Sequence, residues 1–144
     1  MKRNVLEKDV RIDLVENPIP ICYDEVPDFT KQDYEERLEK VQEICDQRGY
    51  SHLILYGDRE HFSNIHYLTG LDPRFEEALL ILEKSKKPKL VLGNECFIYS
   101  NAIVVDIERI LYQNFSLIGQ PNDGNPYLID IFRECNITDD SRIG

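Results

Sequence analysis

The run EEALLIL, residues 76–82, is apolar at every position from Ala78 to Leu82. A strand with one face in water alternates apolar and polar side chains. A run without alternation reads as a central strand buried on both faces. Such a strand forces layers of structure above and below it. KSKKP at 84–88 has turn composition, and KLVLG follows it. The two apolar runs therefore predict a hairpin.

The cover is legible on either side. Thr30 is a good N-cap with Asp33 at the third helical position. Tyr34, Leu38, Val41 and Cys45 recur at helical spacing with Ile44 beside them, while Glu35, Glu36, Glu39, Lys40 and Glu43 fill the opposite face. Gly49 supplies the stop, and the single apolar stripe predicts packing against a sheet. HLILY, 52–56, reads as a strand closed by Gly57, and HFSNIHYLTG as a short helix ending at Gly70. A helix or irregular segment is expected over 94–105, with Asn94 suited to an N-cap. RILY, 109–112, is a further strand, and Leu128, Ile131 and Phe132 predict a helix within 125–135. DDSRIG, 139–144, reads as a turn running into a strand, with the sequence stopping where a new unit should start. Residues 1–29, with three prolines in ENPIPICYDEVPDF, read as an extended segment, and 30–144 as the folded unit. Strands alternating with helices plus one hairpin give an α/β fold with a mixed β-sheet flanked by helices.

Charge narrows the partners. The formal net charge is −10, which argues against nucleic acid and against contact with anionic membranes. KSKK is the one basic run and reads as a solvated turn. No segment approaches the ~20 apolar residues of a membrane span, and the charged N-terminus has no secretory h-region. A cytoplasmic chain with reduced thiols is the expectation for Cys22, Cys45, Cys96 and Cys135, which form no CxxC pair. The sequons at Asn114 and Asn136 carry little weight in that setting.

The chemistry-bearing residues concentrate in YGDREHFSNIHYLTGLDPRF, 56–75. His61 and His66 are five apart and face different sides of a helix, so they do not make a metal pair, which needs a spacing of three or four. Asp58, Arg59, Glu60 and His61 follow a strand, where ligands of α/β sheets often bind. The bland alternative is that Asp58 caps the next helix while Arg59 and Glu60 are solvated or paired. No G-x-S-x-G and no Walker glycine loop is present, and GQPNDG, 119–124, has turn composition. The residues taken alone form no complete catalytic set.

The helix YEERLEKVQEICDQRG, the strand HLILY and the string NIHYLTG at 64–70, followed by EEALLIL, resemble the N-terminal domain of the creatinase, prolidase and aminopeptidase P family. DREHFSN, YLTGLDPRFEEALL, GNE at 93–95 and LYQNFSLIGQP at 111–121 extend the likeness over roughly 30–144. The resemblance implies a ribonuclease-H-like creatinase N-terminal fold. It implies that Asn64, Tyr67, Thr69 and Gly70 form a structural motif, and that Asp58, Arg59, Glu60 and His61 stand where a substrate-facing role arises. It implies no catalytic residue and no metal ligand in this chain. Catalysis, with two divalent metal ions (Mn, Co or Zn), would belong to a C-terminal pita-bread domain lying beyond Gly144. The chain would then serve subunit association in a homodimer and limit access to the active site of a metal-dependent Xaa-Pro peptidase-like hydrolase. The alternative is a free-standing small-molecule or peptide-binding module using the Asp58–His61 loop.

Overall fold

The computed structural model describes residues 29–122, 124 and 126–144; the extended segment expected at the N-terminus lies outside them, apart from Phe29. Four strands form one sheet in the order β1-β2-β3-β4: β1 (His52–Gly57), β2 (Ala78–Glu83), β3 (Lys89–Leu92) and β4 (Glu108–Leu111). β1, β2 and β3 pair antiparallel and β3 with β4 parallel, so the sheet is mixed. The helices are α1 (Lys31–Gln47), α2 (Ser63–Thr69), α3 (Asn94–Tyr99) and α4 (Leu128–Glu134).

β2 takes the buried position its sequence demands. Ala78, Leu80 and Leu82 join Leu90 and Leu92 on one face, with Tyr34 and Leu38 of α1, Ile65 and Leu68 of α2 and Cys96 of α3 packed over them. Leu79 and Ile81 join Val91 on the other face, under Tyr112, Phe115, Ile131 of α4 and Cys135. A strand with helices on both sides loses no apolar surface to water, which is why alternation is absent. The strand begins at Ala78, with the apolar run itself and two residues later than the stretch 76–82 read as a strand, because Glu76 and Glu77 lie in the preceding loop.

Local chemistry sets the ends. Thr30 and Asp33 make the capping box: the Thr30 amide donates to the Asp33 carboxylate at 2.7 Å, and the Asp33 amide donates to Thr30 Oγ1 at 3.3 Å. Thr30, through its hydroxyl and then its amide, holds the Asp33 carboxyl below its ordinary range. The stripe on α1 is narrower than its spacing suggests, since Ile44 is exposed. The KSKK turn closes with the Lys86 amide donating to the Glu83 carbonyl, and its lysines reach acids on other elements, Lys84 to Asp46 and Lys87 to Asp106.

Three local expectations change. Gly93, not Asn94, is the N-cap of α3. The Asn94 side chain instead donates to the Pro121 carbonyl and accepts from Gln113. Asp58 does not cap α2, whose N-cap is Phe62 with no side-chain bond. The last helix is shorter than its window, starting at Leu128. At the C-terminus, Ile143 bridges His52 in parallel, the Gly144 amide donates to the His52 carbonyl and the Ile54 amide donates to the Gly144 carbonyl. Residues 143–144 of DDSRIG thus pair along the edge of β1.

Candidate functional site

The register brings the interesting loops to one end of the sheet. Gly57 pairs with Ala78, Ala78 with Leu92, and Leu92 with Leu111. The loops after β1, before β2, after β3 and after β4 therefore leave the sheet side by side. Carboxyl ends of strands in open α/β sheets are where ligands commonly bind.

The first loop, 58–62, is built by Asp58. Its Oδ1 accepts the backbone N–H of Glu60 at 2.8 Å and of His61 at 2.7 Å, and the His61 ring Nδ1 lies 3.1 Å away. Those amides, Glu60's first, hold the Asp58 carboxyl below its ordinary range. Asp58 thus spends its charge on folding the turn. Arg59 and Glu60 point to solvent, and Arg59 makes no hydrogen bond or ion pair with a described residue. His66 lies on α2 with its ring edge-on to Phe62. Among the described residues no three His, Cys, Asp or Glu side chains group as a metal site.

The second loop, 71–77, carries the end of the polar stretch 56–75, and DP is a turn signal. Asp72 Oδ1 accepts the Arg74 amide at 2.7 Å, and Pro73 is fully buried. Arg74 stands at φ 56°, a left-handed conformation costly for a residue with a Cβ. Glu76 is only 1% exposed, and its two carboxylate oxygens accept the Glu95 amide at 3.1 Å and the Cys96 amide at 2.7 Å. A buried carboxylate is tolerated only when bonded, and here the first turn of α3 supplies both donors. The Cys96 thiol donates to the Pro73 carbonyl at 3.2 Å. Burial, then the Glu76 carboxylate beside it, pushes that thiol up to about 12. Gly93 makes room for the clamp, because a Cβ there would meet the Glu76 carboxylate at 2.8 Å and the Phe115 backbone at 2.9 Å.

Between the two loops lies an open cleft of about 470 Å³ lined by Arg59, Phe62, Asp72, Arg74 and Phe75. Asp72 and Arg74 also border a hollow of about 280 Å³ reaching Tyr34, Leu71 and Tyr99. The Arg74 guanidinium stands 5.2 Å from the Tyr99 ring centroid.

The motif residues 64–70 have separate jobs. Thr69 is buried, donates its hydroxyl to the Ile65 carbonyl at 2.7 Å and accepts the Leu71 amide at 3.1 Å. Gly70 ends α2 at φ 78°, where a Cβ would press on Tyr34 Oη at 3.0 Å. Tyr67 offers its ring to the Arg37 guanidinium, 4.4 Å from the centroid, and its carbonyl to the same group at 2.9 Å. Asn64 is exposed on α2. Of the four residues first proposed to face a substrate, only Arg59 lines the cleft.

No family model matches the sequence, and no curated protein matches it significantly. Solved structures do match in fold. A proline dipeptidase from Streptococcus agalactiae 2603V superposes with a TM-score of 0.53 at 14% identity, over 76% of this chain and 74% of that one. The N-terminal, creatinase/prolidase-like domain of a protein described as a metallopeptidase, from Corynebacterium diphtheriae, gives 0.50 at 15% identity, over 76% of this chain and 93% of the domain. An Xaa-Pro aminopeptidase from Streptococcus pyogenes gives 0.50 at 20% identity, over 59% of this chain, and the match spans only 60% of that chain's length. The fold of this chain is that of the creatinase/prolidase N-terminal domains of Xaa-Pro dipeptidases and aminopeptidases P.

Proposed function

We propose that this chain is the non-catalytic N-terminal domain of an Xaa-Pro dipeptidase or aminopeptidase P-like metallohydrolase, working in the cytoplasm. In this reading it takes part in subunit association as a homodimer and limits access to the active site of the parent enzyme. The two divalent metal ions, Mn, Co or Zn, belong to a catalytic domain partnered with it. The observation that carries the reading is the match to the Corynebacterium diphtheriae domain, which spans nearly all of a domain that is N-terminal in its own protein. Fold alone does not fix activity, so the test lies outside the chain.

That test is to read the gene downstream of the Gly144 codon. The expected result is an in-frame segment of roughly 200 residues, a normal domain length, carrying an Asp-Asp-His-Glu-Glu ligand set. A stop codon, or a downstream domain without those ligands, overturns the reading. So does hydrolysis of Ala-Pro or Gly-Pro by the purified chain supplied with Mn²⁺, Co²⁺ or Zn²⁺. The second reading, a binding module using the 58–61 loop, is favoured by one observation: Arg59 opens onto a cleft instead of pairing with an acid.

A further inference from the structure

We infer that the cleft between the two loops binds a small carboxylate bearing an apolar or aromatic group, with Arg59 and Arg74 as its anion-recognising pair. The cleft lies at the sheet end where the loops after β1 and before β2 emerge, and a ligand class for it deepens the binding-module reading of the 58–61 loop. It needs only this chain, so it stands or falls independently of any catalytic domain.

Charge is the first argument. The chain carries 27 acidic residues against 17 Lys and Arg, so a surface arginine has many carboxylates within reach. Four of the eleven other described Lys and Arg residues use them: Lys31 pairs with Glu35, Lys84 with Asp46, Lys87 with Asp106 and Arg133 with Asp130. Arg59 and Arg74, which line the same cleft from different loops, form no ion pair with any described residue. The carboxylate in the cleft wall, Asp72, gives its Oδ1 to the Arg74 amide. Two guanidinium groups left without an acid offer planar forks of donors suited to a carboxylate.

Construction is the second argument. Arg74 is held in a left-handed conformation, and the turn that holds it is fixed at several points: Asp72 on its amide, Pro73 buried, and Glu76 clamped to α3. Strain in an exposed residue persists only where the surroundings impose it, and such positions concentrate at functional sites. The walls supply the rest of the specificity. Phe62 is half-buried and Phe75 is 46% exposed, so both rings face the opening. A bare inorganic anion has no use for two phenyl walls, whereas an organic carboxylate buries its apolar part on them.

The experiment is a titration of the ¹⁵N-labelled full chain with 3-phenylpropanoate, its uncharged amide and inorganic phosphate, read by amide chemical shifts. The expected result is saturable millimolar binding of the carboxylate, as for a small ligand in an open site, with shifts confined to residues 58–62 and 72–76. The amide should bind at least about ten-fold more weakly, as loss of a charge-assisted pair implies. Arg59→Ala and Arg74→Ala should each weaken the carboxylate about five-fold or more, while Glu60→Ala, in the same loop but outside the cleft, should not. Both arginines are exposed, so the variants fold, and unchanged spectra away from the loops check that. Equal binding of amide and carboxylate, unaltered affinity in either arginine variant, or phosphate binding as tightly as the carboxylate would each overturn the inference.

Discussion

The loops DREH, 58–61, and DPRF, 72–75, open in the same way and end differently. Each begins with an aspartate whose Oδ1 accepts the amide two residues on, at 2.8 Å from Glu60 and 2.7 Å from Arg74. Each sends an arginine to the same cleft. The first loop is held by Asp58 and by its own amides. The second is bolted down by buried Pro73 and by the Glu76 carboxylate on two amides of α3. Similar turn chemistry thus yields one loop whose shape depends on a single half-buried carboxylate and one whose shape depends on the core. The sharpest ways to break that comparison act on the clamp.

Glu76→Ala should have the largest effect. It leaves two amides of α3 without acceptors in a buried place and opens a void. The expected cost is about 3 kcal/mol, the range for losing a buried charge-assisted acceptor. It would be read as a lower midpoint in chemical denaturation. Glu76→Gln keeps one carbonyl acceptor and should cost less. A loss under about 1 kcal/mol for the alanine variant would mean that the second loop is no better anchored than the first.

Gly93→Ala comes next. Its φ is −70°, an ordinary value, so any penalty is steric. Overpacking against the Glu76 carboxylate and the Phe115 backbone should cost about 2 kcal/mol. The double variant with Glu76→Ala should lose less than the sum of the two singles, because one of the two clashes disappears. Additive losses would place the clash entirely at Phe115.

These same residues mark where sequence reasoning succeeds and where it stops. The buried strand was legible because five consecutive apolar residues admit no exposed face. The capping box at Thr30 and the glycine stop of α2 were legible because their chemistry is local. The role of Glu76 was not, since its partners are 19 and 20 residues further on and nothing near it in sequence announces a buried acid. Asn94 misled for a related reason: its side chain is drawn to Pro121 and Gln113, leaving the cap to Gly93. Of the candidate site, Arg59 was visible as a polar residue after a strand. Its counterpart Arg74 depends on the register Gly57 with Ala78, which sets the two loops side by side.

Arg74→Gly sharpens the comparison from the other side. Glycine relieves the left-handed strain, about 1 kcal/mol, and gives back a similar amount in chain entropy. Stability should therefore stay within about 0.5 kcal/mol of the parent, a shift of a few degrees at most in the thermal midpoint. A loss well beyond that would mean that the contact of Arg74 with Tyr99 helps hold the fold.

The smallest effect concerns Asp58 and depends on pH. Its folded-state pKa lies below the unfolded carboxylate value near 3.9. The contribution of its ionised form is therefore fully present above that value and is lost as pH falls through the folded pKa. On acidification the Glu60 and His61 amides should move together, with one midpoint below the ordinary carboxylate range. Asp58→Asn retains an oxygen that accepts both amides but does not titrate in this range, so the turn should persist and the transition should vanish from those signals. Because the loop is exposed and independent of the core, neither acidification over this window nor the Asn variant should displace the signals of Leu80 and Ile81 through Asp58. If the Asn variant shifts those buried residues, the first loop is coupled to the core after all, and the contrast with the second loop is one of degree.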